Sequence, residues 1–350
     1  MSKKFVITLL IISSLILLFF AFIVVIIDPY FHYRKPSTNI AYILDNERYQ
    51  NDGIIKHFDY NAIITGTSMV ENFKVSEFNK LFNVNSIKIP FAGAMFKEIN
   101  DNLITATNYN DNIKIILRCL DLYKLNEPKD AIAYNSNNYP KYLYDDNKLN
   151  DINYLLNKNA ITNAFESIIK TATKQNSTSF DDYASWYNKY EFSKKATNSQ
   201  YIRMSKKSTY ITTQIDYKNA WENIKQNVTD LADKYPNIDF YLFYPPYSIY
   251  YWDNANQEGV LNMQLDCIQY VTELLLEHKN IYIYSFLNEY DIITDLNNYK
   301  DIRHYSEKIN SFILKKISTK DNLLTKDNYK KHIEDIKNFY LNYDYESLFK

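Results

Sequence analysis

A serine follows the first short apolar run of the chain at a position suited to nucleophilic catalysis. Residues 62–65 are apolar, Gly66, Thr67 and Ser68 come next, and helical periodicity begins directly afterwards over residues 70–82. A serine hydroxyl becomes a nucleophile when a base takes its proton and N–H groups stabilise the oxyanion that forms. A helix N-terminus offers such N–H groups. The alternative interpretation is that Ser68 is an ordinary helix N-cap.

An Asp-x-x-His pair near the other end of the chain supplies the remaining groups for such chemistry. Asp301 precedes His304 by three residues, just ahead of the helical periodicity over residues 303–317. Residues three apart at a helix start face the same way. Asp301 would then orient the imidazole while the other ring nitrogen of His304 takes the proton of Ser68. The alternative is a capping aspartate beside a surface histidine.

Short apolar runs and amphipathic stretches alternate on both sides of these residues. Apolar runs bounded by turn-forming residues predict strands at residues 62–65, 86–90, 114–120, 239–244 and 281–285. Helical periodicity predicts helices at residues 70–82, 95–109, 217–235, 257–278, 303–317 and, in the tail, 327–340. This alternation predicts an α/β fold with a parallel five-stranded sheet covered on both faces.

Residues 121–210 interrupt this alternation. They are rich in Asn, Tyr, Lys and Ser and show weak periodicity. We expect an insertion over the carboxyl edge of the sheet, where ligand sites of α/β folds form. The segment is too long for a bare loop, so it should contain helices of its own, one of them over residues 153–173. Its tyrosines would offer stacking platforms for sugar rings, or they only reflect a chain with 34 tyrosines.

The order of the motifs resembles that of the SGNH (GDSL-like) hydrolase superfamily. In that family a serine follows the first strand, a glycine after the second strand donates an oxyanion N–H, and Asp-x-x-His completes a triad. The matching positions are Ser68, Gly93, Asp301 and His304. The resemblance implies a flavodoxin-like three-layer sandwich, catalytic roles for Ser68, His304 and Asp301, and oxyanion N–H groups from Ser68 and Gly93.

Two positions depart from the pattern of the family. Thr67 stands where the family usually has an aspartate just before the catalytic serine. The family also has a conserved asparagine after the third strand, and this chain has Asp121 there without that asparagine. Either an amide near residues 118–121 replaces the missing oxyanion donor, or catalysis is weaker or directed to a different acceptor.

Thr67, the apolar N-terminus and Pro245-Pro246 after the fourth predicted strand resemble a membrane-anchored subgroup of this superfamily. Its members are similar to alginate-type O-acetyltransferases and to the D-alanyl transfer protein of teichoic acid systems. The resemblance covers roughly residues 58–125 and 236–318. It implies acyl transfer or ester hydrolysis on a cell-envelope or secreted glycan, with a membrane-bound O-acyltransferase as a partner. The residues expected to contact substrate are Thr67, Asp121, Tyr244, Tyr247 and Ser248.

The N-terminal run over residues 5–27 contains 23 residues without a charge. At about 1.5 Å per residue it reaches about 34 Å, enough to cross the hydrocarbon core of a membrane. Lys3 and Lys4 favour a cytoplasmic N-terminus, although His32, Arg34 and Lys35 weaken the charge bias. No small-residue cleavage site ends the run. We predict an uncleaved anchor over residues 1–36 and an extracytoplasmic domain over residues 37–350, with a buried core helix as the alternative to the anchor.

Composition limits the other functions. The net charge of -1 gives no sign of nucleic-acid binding. The four histidines other than His304 lack metal-ligand spacing, so we predict neither a metal nor a cofactor. Cys119 and Cys267 lie in apolar segments, which favours two separate buried thiols over a disulfide. Because the asparagine block is missing, a non-catalytic accessory protein that binds a glycan or the acyltransferase partner is the alternative function.

Overall fold

The five predicted strands form one parallel sheet in a computed structural model that describes residues 2–134 and 139–349. The strands pair in the order β2-β1-β3-β4-β5. Nearly every strand residue is buried, as expected for a parallel sheet covered on both faces. The predicted parallel α/β fold is therefore confirmed. The strands are β1 (Ala62–Gly66), β2 (Ser86–Pro90), β3 (Ile115–Cys119), β4 (Asp239–Tyr244) and β5 (Ile281–Ser285).

The α-helices follow the predicted periodicity with some shifted or divided ends. The predicted helix over residues 257–278 is preceded by a separate helix, α10. A π-helical turn at Lys225–Thr229 joins α8 to α9. In chain order they are α1 (Lys3–Ile27), α2 (Glu47–His57), α3 (Val75–Phe82), α4 (Phe96–Tyr109), α5 (Ile152–Leu155), α6 (Lys158–Ala172), α7 (Lys194–Gln200), α8 (Gln214–Ile224), α9 (Asp230–Lys234), α10 (Ile249–Gln257), α11 (Leu261–Leu275), α12 (Tyr290–Thr294), α13 (Glu307–Ser318) and α14 (Tyr329–Asn342).

The winding of the chain reverses at β1. The chain runs from β1 outward to β2 and then returns past β1 to β3. Because parallel crossovers are right-handed, the helices after β1 and after β2 cover opposite faces of the sheet. Helix α3 packs against α13, while α8 packs against α11. The carboxyl ends of β1 and β3 thus form the point of reversal at which α/β folds bind ligands.

The chain groups into two compact units. One comprises Met1–Asp59 and Tyr134–Ala184, and the other comprises Tyr60–Ala133 and Ser185–Lys350 and contains the sheet. The predicted insertion over residues 121–210 is thus divided, and its positions 135–138 lie outside the described residues. The boundaries predicted from the sequence stay a prediction.

The first unit contains α1, α2, α5 and α6. In the described part of the chain, α1 is the helix that is long and apolar enough to cross a membrane. Asp28 ends it in a left-handed conformation, and its carboxylate accepts backbone N–H groups of His32, Tyr33 and Arg34. The single helix predicted over residues 153–173 is divided into α5 and α6, because the side chain of Asn157 caps the start of α6.

Candidate active site

Ser68, His304 and Asp301 form a continuous chain of hydrogen bonds in the sheet unit. The Oγ atom of Ser68 lies 2.7 Å from Nε2 of His304, although the residues are 236 positions apart. Nδ1 of His304 lies 2.7 Å from Oδ2 of Asp301. The side chains of His304 and Asp301 are 19% and 25% exposed, and Ser68 is half-buried, so a small substrate can reach the serine.

A tight loop, not a helix start, presents Asp301 and His304. Helix α13 begins only at Glu307, so the predicted helical position of the pair is wrong. The Oδ1 atom of Asp301 accepts the backbone N–H groups of Arg303 and His304, each at 2.9 Å. An aspartate side chain that takes local N–H groups in this way competes with helix formation. An antiparallel bridge between Tyr299 and Tyr305 closes the loop.

The loop fixes the charge state of Asp301 as well as its position. Burial by itself would raise the pKa of this carboxyl group. The hydrogen bond and charge of the His304 ring, together with the two backbone N–H groups, outweigh burial and lower the pKa below its ordinary value. Asp301 is therefore ionised at neutral pH and can hold the Nδ1–H tautomer of His304, which leaves Nε2 as the acceptor for the Ser68 proton.

Ser68 begins a 3-10 turn, Ser68–Val70, immediately after β1. The predicted helix over residues 70–82 starts late, at Val75, because the buried ammonium of Lys88 binds the carbonyl oxygens of Glu71 and Phe73. Gly66 precedes the turn with φ of 150°, and a Cβ there would lie 2.9 Å from a methyl group of Val70. Glycine is thus required at the end of β1.

The N–H groups of Ser68 and Gly93 were predicted as oxyanion donors. Among the described residues, neither N–H group donates a hydrogen bond within the chain. Gly93 is exposed and has φ of 73°, a left-handed conformation that favours glycine. Its carbonyl oxygen accepts a hydrogen bond from Lys124. The oxyanion role of both N–H groups stays a prediction.

Thr67, Asp121 and Tyr247 form a buried cluster beside Ser68. Oδ2 of Asp121 accepts a hydrogen bond of 2.9 Å from the hydroxyl of Thr67, and Oδ1 accepts one of 2.5 Å from Tyr247. All three residues are at most 1% exposed. They were expected to contact substrate, but their polar atoms point at one another. They tie the residue before Ser68 to the segments that follow β3 and β4.

Tyr244 and Ser248 were also expected to contact substrate, and both face inward. Tyr244 is fully buried at the end of β4, and its hydroxyl lies 3.1 Å from that of Thr272. Ser248 is buried and donates a hydrogen bond of 2.8 Å to the carbonyl oxygen of Ile302. The prediction of substrate contact is therefore wrong for Tyr244, while Ser248 supports the loop that carries His304.

Trp186 is a neighbour of the triad that was missed from the sequence. Its ring lies edge-on to the imidazole of His304, with ring centroids 5.4 Å apart. Its indole N–H donates to Glu71. The ammonium of Lys300 lies 4.6 Å from the Trp186 ring and 4.0 Å from that of Tyr190, which is 54% exposed. The sequence feature that could have pointed to Trp186 is a tryptophan within a tyrosine-rich, weakly periodic segment.

The replacement for the missing asparagine donor does not come from the side chains at the end of β3. Arg118 is buried, and its guanidinium donates to the carbonyl oxygens of Asn227 and Phe96. Burial lowers the pKa of Arg118 to about 9. Cys119 is a buried thiol separate from Cys267, and Asp121 accepts from Thr67 and Tyr247. Both Asp121 oxygens and the terminal nitrogens of Arg118 thus bond within the fold, while Nε of Arg118 is buried without a hydrogen-bond partner among the described residues.

A second serine–histidine contact, between Ser285 and His332, lacks two features of the Ser68 site. Oγ of Ser285, at the end of β5, lies 2.8 Å from Nε2 of His332. Ser285 is only 1% exposed, and within the described residues no carboxylate hydrogen-bonds to the ring of His332. Burial lowers the pKa of His332 to about 4. This pair lacks both the orienting carboxylate and the accessible hydroxyl of the Ser68 site.

Comparison with known proteins finds little similarity to this chain. No protein-family model and no curated protein matches the sequence. A search of solved structures finds a Streptococcus pneumonia protein provisionally described as a platelet activating factor. The match has a TM-score of 0.36 and 13% identity and covers 78% of this chain and 89% of that one. At these values the likeness carries no argument about function.

Proposed function

We propose that the protein is a serine-dependent acyl-transfer enzyme that uses Ser68, His304 and Asp301 as a triad. The observation that carries this proposal is the unbroken contact from the accessible Ser68 hydroxyl through both nitrogens of His304 to the ionised Asp301. Nucleophile, base and orienting carboxylate at these distances are the arrangement that activates a serine.

The reaction proceeds in two balanced halves. Ser68 Oγ attacks the carbonyl carbon of an ester, its proton passes to Nε2 of His304, and the leaving alcohol takes that proton as the C–O bond breaks. An acceptor hydroxyl or water then attacks the carbonyl carbon of the acyl-serine and gives its proton to Nε2, which passes it to Oγ of Ser68 as the bond between Oγ and the acyl group breaks. Asp301 stabilises the imidazolium in both halves, and the N–H groups of Ser68 and Gly93 hold the oxyanion.

The SGNH-like order of the motifs favours a small ester on a cell-envelope or secreted glycan as the substrate. The strand order and the position of Ser68 at the reversal beside β1 are compatible with this superfamily. The exposed ring of Tyr190 would stack on a sugar. Helix α1 would anchor the enzyme in the cell membrane, with the catalytic unit outside and a membrane-bound O-acyltransferase as its partner.

Turnover of p-nitrophenyl acetate by the purified full-length protein tests the proposal. Ser68→Ala should abolish turnover, while Ser285→Ala, which removes the other histidine-bound serine hydroxyl, should leave it within about twofold. Equal turnover by the native protein and Ser68→Ala would contradict the proposal.

Dependence on an acceptor separates transfer from hydrolysis. An O-acyltransferase should accelerate when a glycan acceptor is added and should form acylated glycan, whereas an esterase should release only free acid. If cells carrying Ser68→Ala keep normal envelope acylation but cells lacking the protein do not, the accessory-protein alternative replaces the enzyme.

A further inference from the structure

Helix α6 packs against the C-terminal end of helix α1. The rings of Phe20 in α1 and Phe165 in α6 lie 6.2 Å apart. Val24, one turn later in α1, is fully buried in a cluster with Ala160 and Ile161 at the start of α6. Leu17, one turn before Phe20 on the same side of α1, is 51% exposed.

The length of α1 sets the depth of this crossing. Twenty helical residues span about 30 Å, the thickness of a hydrocarbon core. Counted from Phe5, which follows Lys3 and Lys4, the twentieth residue is Val24. Phe20 then lies about 6 Å inside the boundary at 1.5 Å per residue. Interfacial amphipathic helices bury their apolar faces about 5–10 Å deep. The crossing with α6 is thus at the depth of such a helix.

One side of α6 faces the interior of the first unit, and another side is exposed. Asn163 donates to the carboxylate of Asp45, and the hydroxyl of Thr171 accepts the N–H of Ala41, so one polar side is fixed within the unit. The apolar residues recur at helical spacing: Ile161, Ala164, Phe165, Ile168, Ile169 and Ala172.

The end of this apolar stripe is uncovered. Ile168 and Ile169 are 40% and 59% exposed, and Ile152 in the preceding helix α5 is 53% exposed. Lys158 and Lys170 lie near the two ends of α6. Lysines at a membrane surface lay their stems along apolar groups and place their ammonium groups beside lipid phosphates. Exposed isoleucines on a helix that packs against the lipid-spanning candidate α1 indicate lipid as their covering.

We propose that α6 is an interfacial helix whose residues Ile168 and Ile169 insert into the leaflet from which α1 emerges. Its occupant is the lipid of the same membrane, contacted through acyl chains on the isoleucines and headgroup phosphates on the lysines. The proposal rests on the anchor role of α1 and is independent of the chemistry at Ser68. It gives the first unit a second membrane attachment beside α1.

Nitroxide labels on single introduced cysteines test this contact in the full-length protein. The native Cys119 and Cys267 are buried, so the unsubstituted chain measures background labelling. The protein is reconstituted in nanodiscs of phosphatidylcholine and phosphatidylglycerol. The variants are Ile168→Cys and, on the nearly opposite face of the same helix, Glu166→Cys, both at exposed positions. Leu10→Cys in α1 reports separately whether the anchor spans the bilayer.

Collision of each label with oxygen and with a water-soluble nickel chelate gives its depth. We expect oxygen to dominate at Ile168→Cys and Leu10→Cys and the nickel chelate to dominate at Glu166→Cys. Dominance of the nickel chelate at Ile168→Cys, with Leu10→Cys in lipid, would overturn the proposal. Protection of Ile168→Cys from both reagents would overturn it too, because a protein surface would then cover α6. A water-exposed Leu10→Cys would overturn the anchor itself.

Discussion

Thr67, the residue before the candidate nucleophile, donates a hydrogen bond of 2.9 Å to Asp121 at the end of the neighbouring strand β3. In the SGNH-like pattern the carboxylate belongs to the block that contains the serine. Here the carboxylate comes from β3 and contacts that block through the threonine hydroxyl. The two departures from the pattern, at position 67 and at position 121, are therefore in direct contact.

The first prediction concerns the stability of this contact. Tyr247→Phe removes one of the two hydroxyl donors to the buried Asp121 side chain, which should cost about 1–3 kcal/mol because a buried acceptor oxygen loses its partner. Tyr244→Phe removes an equally buried hydroxyl from a neutral partner, Thr272, and should cost about 0.5–1.5 kcal/mol. Denaturant unfolding of both variants measures the difference, and equal losses would show that the Tyr247–Asp121 hydrogen bond is not the stronger of the two.

Asp301→Asn should leave the fold intact and remove most of the activity. The amide would no longer enforce the Nδ1–H tautomer of His304 or stabilise the imidazolium, so kcat should fall by about 10³- to 10⁴-fold. The matched control is Asp295→Asn, which alters a carboxylate that caps a nearby turn at Asn297 and should leave kcat within about twofold. Ester turnover measures both, and comparable losses in the two variants would remove the special role of Asp301.

Trp186 should position the imidazole of His304. In Trp186→Leu the imidazole of His304 loses its aromatic neighbour, and the hydrogen bond from the indole N–H to Glu71 is lost. Small misplacements of a catalytic group are costly, so kcat/KM should fall about 10- to 100-fold. Trp221→Leu, at a 44% exposed position on α8, is the control and should change kcat/KM little. An unchanged kcat/KM in Trp186→Leu would show that the imidazole is held by Asp301 alone.

The strands could be predicted because their residues are apolar and buried on both faces, and this pattern is visible locally. The local shape of the site could not be predicted, because it depends on partners distant in sequence. The ammonium of Lys88 in β2 donates hydrogen bonds to the carbonyl oxygens of Glu71 and Phe73. Helix α3 therefore starts later than its periodicity predicts.

The loop with His304 shows the same limitation. Periodicity from residue 303 onward favours a helix, but the carboxylate of Asp301 binds the N–H groups that would open it. The hydroxyl of Ser248, 54 residues earlier in the chain, donates a hydrogen bond to the carbonyl oxygen of Ile302. The residue types at the site were predictable, whereas the inward direction of Tyr244 and Ser248 followed from tertiary packing.

His332 should make the stability of the protein depend on pH between about 6.5 and 4. Burial lowers its pKa from 6.5 to about 4, so the unfolded chain binds this proton first as pH falls. The folded state then loses stability as pH falls through that window, by about 3 kcal/mol at pH 4. His332→Gln removes the titrating group and should flatten this loss. Denaturant unfolding from pH 7 to pH 4 measures the slope, and parallel curves for the native protein and the variant would contradict the assignment.

Covalent labelling shows whether Ser68 is an activated nucleophile. The full-length protein is treated with a fluorophosphonate, which reacts with serines activated by a neighbouring base, and the modified peptide is located by mass spectrometry. We expect stoichiometric modification of Ser68, loss of labelling in Ser68→Ala and in His304→Ala, and unchanged labelling in Ser285→Ala. If the native protein stays unmodified at Ser68, or is labelled equally at Ser285, Ser68 is not the activated nucleophile.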